Sequence, residues 1–450
     1  MKKILIGLVA ICVSGSAMAE GYQVNTLSAK QGGMGHTGVA QKLGAESMYF
    51  NPAGMAFMNN TFDVSGSFNA VMADAKAKID GDWYKTDNDV STPMMLGAAF
   101  SIYDNLKAGI NIYTPYGSGI NWTNSWAGAI LNQSVKLTTF TVQPSVSWRI
   151  TPNLSVGAGL MISWGNVNLN KGLVNPASID QLIGVLTMLG QLPQGVPAFG
   201  NTMPASVNLK GTSDVACGIN IGAMYDINSQ WTVGANFRSK MNMKVKAGDA
   251  HVSYANEIAE GILESEIGII NSSNFSAEMP MPAVATVGVA YKPLSNLLIA
   301  FDAQFTAWNA YKSLDIEFLD ENAAKFNQHL TKDYKNVWAF RLGAQYGITK
   351  RFDVRAGFIV DLSPVNKNYY NPETPGMTKL EPSVGFSFRP VQNLSIDFSA
   401  MYVAGLGVND VTCGYTDFLA AKLGESTEKS ITADYKVHAF VPSIGVSFSF

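Results

Sequence analysis

Apolar and polar residues alternate with period two through most of this chain. At the C-terminus Phe440, Pro442, Ile444, Val446, Phe448 and Phe450 alternate with Val441, Ser443, Gly445, Ser447 and Ser449. One face is apolar and the other small and polar, which predicts a strand with two unlike faces. The same pattern recurs at 154–164, 231–238, 338–346, 352–361 and 394–402. Each run is about ten residues long, as a tilted strand crossing a bilayer requires. Aromatic residues stand at the ends of the apolar faces, where a membrane interface favours them. Arg341, Asp353, Arg355, Asp361 and Asp397 share the opposite faces. Such charges suit a polar lumen and not the dry core of a soluble sandwich.

Short connections fall near 104–105, 151–153, 228–230, 293–296, 349–351 and 390–393. Long ones lie at about 77–91, 119–134, 171–209, 250–276, 319–334, 365–378 and 404–430. Six short and seven long connections join fourteen strands, and an even number returns the last strand to the first. The expected fold is all-β: a 14-stranded antiparallel transmembrane β-barrel over 61–450, its long loops extracellular.

Composition agrees with this placement. Only 14% of the 450 residues are charged, against roughly 25% in soluble domains, yet 47% are hydrophobic and the net charge is −3. No basic excess points to nucleic acid. Lys2, Lys3, an apolar run over 4–13 and the small-x-small site at Ala17-Met18-Ala19 predict a cleavable secretory signal over 1–19. No later segment has the 18 or more apolar residues of a spanning helix. Cys217 and Cys413 are far apart in the chain, and a disulfide between them is neither required nor excluded.

Residues 20–60 precede the first strand. Gly32, Gly33, Gly35 and Gly38, followed by Asn51-Pro52-Ala53-Gly54, are turn-rich and carry no charge run. A lumen fourteen strands around is too wide for its own side chains to fill. This segment is therefore expected to form a hatch inside the barrel rather than a solvated tail.

Several motifs resemble the FadL/TodX family of outer-membrane transporters of long-chain fatty acids and hydrocarbons. They are Gly21-Tyr22-Gln23-Val24-Asn25 at the mature start, Asn51-Pro52-Ala53, Met281-Pro282 opening a strand, Asp302 and Trp308, and Asp361-Leu362-Ser363-Pro364-Val365. The resemblance runs from hatch to terminal Phe and rests on the order and spacing of short motifs. It implies passive uptake of a hydrophobic compound, gated by the hatch residues Gly21, Tyr22, Gln23, Asn25, Asn51, Pro52 and Ala53. It also implies sideways release at a kinked third strand. In the run 106–120, Pro115, Tyr116, Gly117 and Gly119 would form this lateral gate, because proline cannot donate to a ladder and glycine weakens one. A terminal aromatic residue resembles the signal read by the barrel-assembly machinery. The expected partners are that machinery, outer-membrane lipid and lipopolysaccharide, with the barrel a monomer.

Two outer loops carry helix-like apolar runs. Ile179, Leu182, Ile183, Leu186, Met188 and Leu189 follow Asn175 and Pro176, a cap and a first-turn residue. Ile258, Ile262 and Leu263 interleave with Glu257, Glu260, Glu264 and Glu266. The two runs either cap the lumen by packing together or form an apolar groove for substrate; the resemblance implies the groove. Lys171 and Lys335 are the candidates for holding a carboxylate. Arg341 and Arg355 serve equally as partners of Asp353, Asp361 or Asp397.

Other chemistries find little support. His36, His251, His329 and His438 are scattered among the cysteines without metal spacing. The Gly32–Gly38 run lacks the lysine and preceding strand of a phosphate loop. No cofactor is expected. A lipid hydrolase would need a nucleophile beside the outward-facing His438, and a general porin would not need a hatch or apolar loops.

Overall fold

The computed structural model describes residues 21–269 and 271–450. The expected signal, with Glu20, lies outside the described residues. Fourteen wall strands follow one another. The first is Phe62–Asn69 with Met72–Ile79, the second Met94–Tyr103, and the third Leu106–Tyr113 with Gly117–Asn121. The fourth and fifth are Ser134–Arg149 and Leu154–Gly172, and the sixth is Ala205–Thr212 with Ala216–Asp226. The seventh is Trp231–Arg238 with Met241–Tyr254, and the eighth Ser272–Met281 with Val284–Leu294. The ninth, Leu297–Thr306, is extended outward by Ser313–Phe318. The tenth to twelfth are Val337–Thr349, Phe352–Asp361 and Lys379–Val391. The thirteenth is Leu394–Gly405 with Val408–Thr416, and the fourteenth Glu428–Ser449.

Each strand pairs antiparallel with its neighbours in the chain. The first closes on the last, from Asp63↔Ser449 to Asn69↔Ser443. Closure leaves no terminal edge strand, the condition for β-structure in lipid. Outward faces carry Leu160, Ile219, Ile221, Phe237, Val287 and Phe301, all exposed. Aromatic pairs bound this apolar belt. At the short-turn end Trp231 stacks on Tyr291 at 4.1 Å between centroids, and Phe62 meets Phe450 at 5.3 Å. At the long-loop end Phe140 lies beside Trp164 at 6.0 Å and Phe305 beside Trp338 at 5.2 Å.

The hatch fills the lumen. Its short helices, Ala29–Gly32, Ser47–Phe50 and the 3-10 turns Gly44–Glu46 and Pro52–Phe57, are almost wholly buried. Asn51 starts the last of these, its side chain accepting from Ala53 N at 3.1 Å, with Pro52 at the first turn. Wall glycines make room. A Cβ on Gly385 would lie 3.0 Å from the Cα of Gly33, and one on Gly157 would lie 2.5 Å from Ala53 N. A Cβ on Gly357 would collide with Gly35, whose own φ is +60°. These inward glycines let hatch backbone touch wall backbone. Wall side chains then supply the partners for hatch amides. Asp302 accepts from Gly38 N at 2.7 Å and Val39 N at 3.1 Å. Asp63 accepts from Ala45 N at 2.8 Å, and Ser67 Oγ accepts from Ala29 N at 3.1 Å.

Gly357→Val places a branched side chain where the hatch backbone lies, and overpacking of this kind costs about 1–3 kcal/mol or more. Planar-bilayer recordings should show higher and noisier ion conductance for this variant, while its heat-modifiable migration on a gel remains that of a folded barrel.

Candidate functional site

Above the hatch the lumen is apolar. One contiguous cluster joins the outer-loop residues Ile179, Leu182, Ile183, Ile262 and Leu263 to Met243, Phe275 and Met281. It ends on Trp308, Tyr311, Tyr334 and the hatch residue Tyr22. Two cavities of ≈ 30 and ≈ 60 Å³ lie within it. The upper is walled by Val207, Ile269, Phe318, Phe326 and Phe418, and the lower by Leu169, Leu209, Met243, Phe275 and Leu314. Neither holds a long ligand as it stands. Met243 and Met279, flexible side chains, stand in the lower wall.

Both loop helices form, the first at its predicted cap Asn175 and the second at a cap, Asn256, not anticipated from the sequence. Pro176–Met188 begins at Asn175, which accepts from Ala177 N at 2.9 Å, and Glu257–Ile267 begins at Asn256, which accepts from Ala259 N at 2.8 Å. Both turn one face into the common cluster, with Leu186 partly covered at its edge. Met188, 89% exposed, Leu189 and Ile258 point to solvent and are not brought into the groove. Met188 closes its helix and Ile258 stands in the first turn of the other, each on a face turned away from the cluster, while Leu189 follows the helix end. The 417–423 segment ties the helices together: Ser178 Oγ donates to Asp417 at 2.5 Å, and Lys422 pairs with Glu266 at 3.5 Å.

The two lysine candidates separate. Lys171 is buried, and its Nζ donates to Gln328 Oε1 at 2.8 Å. Lys335 is exposed on the outer loop and does not face the conduit. Its neighbour Lys332 is the buried one, paired with buried Glu373 at 3.1 Å. Alternation over Lys332, Tyr334 and Lys335 carried the signal: Lys332 shares the parity of buried Tyr334 and Lys335 does not. The arginines also part. Arg355 pairs with Asp397 at 3.2 Å, and Asp353 is held by Arg389 at 2.6 Å. Arg341 pairs with no carboxylate among the described residues; it donates to hatch Asn25 Oδ1 at 3.0 Å. Cys217 and Cys413 are free thiols, the first exposed and the second buried. His438 lies against Tyr402 on the outer wall, 3.4 Å from its hydroxyl.

The third strand breaks where Pro115 predicts. Its ladder to the second strand ends at Thr114 N, which donates to Met94 O at 3.2 Å. Beyond the break, Gly117–Asn121 pairs only with the fourth strand, from Gly117↔Thr138 to Asn121↔Ser134. Contact with the second-strand side resumes at Asp87 N, which donates to Asn121 O at 2.8 Å. The hatch occupies the break from within. Val24 N donates to Pro115 O and Gly117 N to Tyr22 O, each at 2.8 Å, so that Gln23 faces Tyr116 as in a ladder. Tyr22 also donates its hydroxyl to Pro280 O and packs edge-on against Trp308 at 4.8 Å. Gly21 has φ +58°, and a Cβ there would strike the Trp308 ring at 2.8 Å. Gly119 continues the short strand opposite Lys136.

A closed fourteen-stranded wall with an apolar outer belt, a hatch and an apolar conduit defines an outer-membrane transport barrel. The family described as outer membrane protein transport protein (OMPP1/FadL/TodX) matches residues 10–450, and the chain belongs to it. Among relatives, the long-chain fatty acid transport protein of Escherichia coli O6:H1 is 23% identical, over 90% of this chain and 91% of its own. Outer membrane protein P1 of Haemophilus influenzae is 22% identical, over 99% and 98%. A solved Pseudomonas aeruginosa FadL homologue shares the fold with a TM-score of 0.78 at 19% identity, covering 96% of this chain and 100% of its own. The P. putida toluene transporter TodX does so at 0.69 and 18%, covering 96% and 99%.

One hatch carboxyl links the docked state to pH. Glu46 accepts from Ser28 Oγ at 2.8 Å, and burial pushes its pKa from 4.5 up to about 7, against the opposing pull of Lys30 and that hydrogen bond. The docked hatch thus favours the protonated acid. Its stabilisation is complete below about pH 4.5 and is lost as pH rises through about 7, a change on the order of 3 kcal/mol. Limited proteolysis of the hatch should accelerate between pH 5 and 8 in the wild type and stay nearly level in Glu46→Gln; an equal pH dependence in both would refute the assignment.

Proposed function

We propose that this barrel carries hydrophobic small molecules of the long-chain fatty acid or hydrocarbon type across the outer membrane by diffusion. In this reading the hatch gates passage and the third-strand break releases the cargo sideways. The observation that carries it is the single apolar cluster running from the loop helices to Tyr22, which stops beside the break that the hatch occupies. An apolar ligand enters between the Pro176–Met188 and Glu257–Ile267 helices, displacing little water. It descends past Met243, Phe275 and Met281. Below it, the wall acids, serines and hatch amides are mutually hydrogen-bonded, so an apolar molecule gains nothing by continuing to the periplasm. Withdrawal of Tyr22-Gln23-Val24 from Pro115–Gly117 would remove two backbone hydrogen bonds and uncover the gap toward lipid. The transport family and the filled lumen favour a carrier over a lipid hydrolase or an open porin. Lys171 is the cation beside this path that would hold a carboxylate.

A reversible lock tests the gate. Gln23→Cys with Tyr116→Cys, in a Cys217→Ser background, places two thiols across the Gln23–Tyr116 bridge. Oxidised cells should take up labelled oleate or toluene at least tenfold more slowly than reduced ones. Equal uptake in both states would sink hatch gating at this break. In liposome swelling the wild type should admit sugars poorly; free passage would favour a porin. Lys171→Met should slow oleate uptake more than toluene uptake if the lysine receives the carboxylate.

A further inference from the structure

The outer wall bears a polar groove just beyond the aromatic belt. Phe140 and Trp164 stack there, at the long-loop end of the apolar surface. The next outward rows are polar. In strict register across four strands stand Lys136, Asn168, Lys210 and Asp249. Thr138, Asn166 and Thr212 lie in register between this row and the aromatic pair. A cavity of ≈ 730 Å³ opens onto this face, floored by Phe140 and Met94 and lined by Lys136, Asn168, Lys210 and Asp249. Its volume is in the ~300–1,000 Å³ range of small-molecule sites. The indentation has causes in the wall. The third strand breaks beside Met94, and the seventh bulges between Val245 and Gly248.

Lys136 and Lys210 are exposed, and among the described residues neither makes an ion pair or a hydrogen bond. Two strand spacings of ~4.8 Å separate their backbones, roughly 10 Å. The amides between and above them are hydrogen-bonded in two groups. Asn208 Nδ2 donates to Asn168 Oδ1 at 2.7 Å and to Asn170 Oδ1 at 2.8 Å, and Thr212 Oγ1 donates to Asn166 Oδ1 at 2.8 Å. These bonds hold a flat bed of amide and hydroxyl groups between two free cations, at headgroup depth, with an aromatic floor toward the acyl region.

We propose that this groove is a binding site for the phosphorylated sugar headgroup of an outer-leaflet glycolipid. Lys136 and Lys210 each take one phosphate, since an ammonium at a membrane surface attracts anionic headgroups. The Asn and Thr side chains take sugar oxygens, and Asp249 accepts from sugar hydroxyls. The acyl chains run down over Phe140 and Trp164. A headgroup with two phosphates on one rigid sugar frame spans the two lysines, and a glycerophospholipid with a single phosphate does not. The site lies on the outer face of the wall, so it is independent of the cargo that the lumen carries.

Native mass spectrometry of the full barrel in mild detergent tests this. The probes are bis-phosphorylated lipid A, its dephosphorylated counterpart, phosphatidylglycerol and inorganic phosphate. The wild type should retain lipid A at least tenfold better than dephosphorylated lipid A or phosphatidylglycerol. Lys136→Gln/Lys210→Gln should fall to the dephosphorylated level, whereas Lys350→Gln at the periplasmic turn should not change retention. Heat-modifiable migration verifies that each variant is folded. Equal retention by wild type and double variant would overturn the proposal. So would equal retention of phosphatidylglycerol, which would mean a general anionic belt, or displacement of lipid A by an equal concentration of inorganic phosphate, which would mean a simple phosphate site.

Discussion

Everything in this molecule follows from the need to satisfy backbone hydrogen bonds in hydrocarbon. A strand in lipid has no water to receive its amides, so each ladder must find a partner strand and the sheet must close. The join of Asp63 to Ser449 completes that closure. Closing fourteen strands fixes a lumen wider than the wall's own side chains fill. The chain meets this second constraint with its own N-terminus. Polar inward faces then become anchors: Asp302 and Asp63 hold hatch amides, and Arg341 holds Asn25. The charges that mark the lumen in sequence divide between clamps on the plug, such as Arg341, and ion pairs within the wall, such as Arg355 with Asp397 and Arg389 with Asp353.

The break in the third strand is the exception to closure and is managed locally. Pro115 lacks an amide hydrogen, so no ladder bond is lost at its nitrogen. The flanking groups are taken by the hatch and by Thr139, whose Oγ1 accepts from Tyr116 N at 3.0 Å. The same contact therefore seals the wall and ties the hatch to it. On the proposed gating, a hatch movement and an opening of the wall would be coupled, because both break the bonds from Val24 to Pro115 and from Gly117 to Tyr22. The apolar conduit ends at this junction, on Tyr22 and Tyr116.

On the outside, the wall is not uniform lipid-facing surface. Its long-loop half changes from aliphatic to aromatic to amide within a few residues of each strand. That sequence of chemistries follows the bilayer from acyl chain to interface to sugar. The third and seventh strands depart from regular pairing near this boundary, and the departures shape the groove there.

The sequence by itself determined the wall, because period-two alternation and turn chemistry are local properties of the chain. The strand number, the closing pair, the helix caps at Asn175 and the break at Pro115 were legible for that reason. The apolar conduit was not. In the sixth to eighth strands apolar odd positions continue through Val207 and Leu209, Ile219 and Ile221, Phe237, Met243, Phe275 and Val287. Below the interruptions at 213–215, 239–240 and 282–283 they face lipid; above them they face the lumen. An interruption of the strand turns the same stripe to the other face. Period two cannot reveal this, since the spacing stays even. The inward glycines were equally ambiguous, reading as small polar-face residues until Gly33 and Gly35 were seen against Gly385 and Gly357. Contacts between residues hundreds of positions apart decided which glycines carry the hatch and which face of each strand lines the lumen, because only closure of the barrel brings those backbones together.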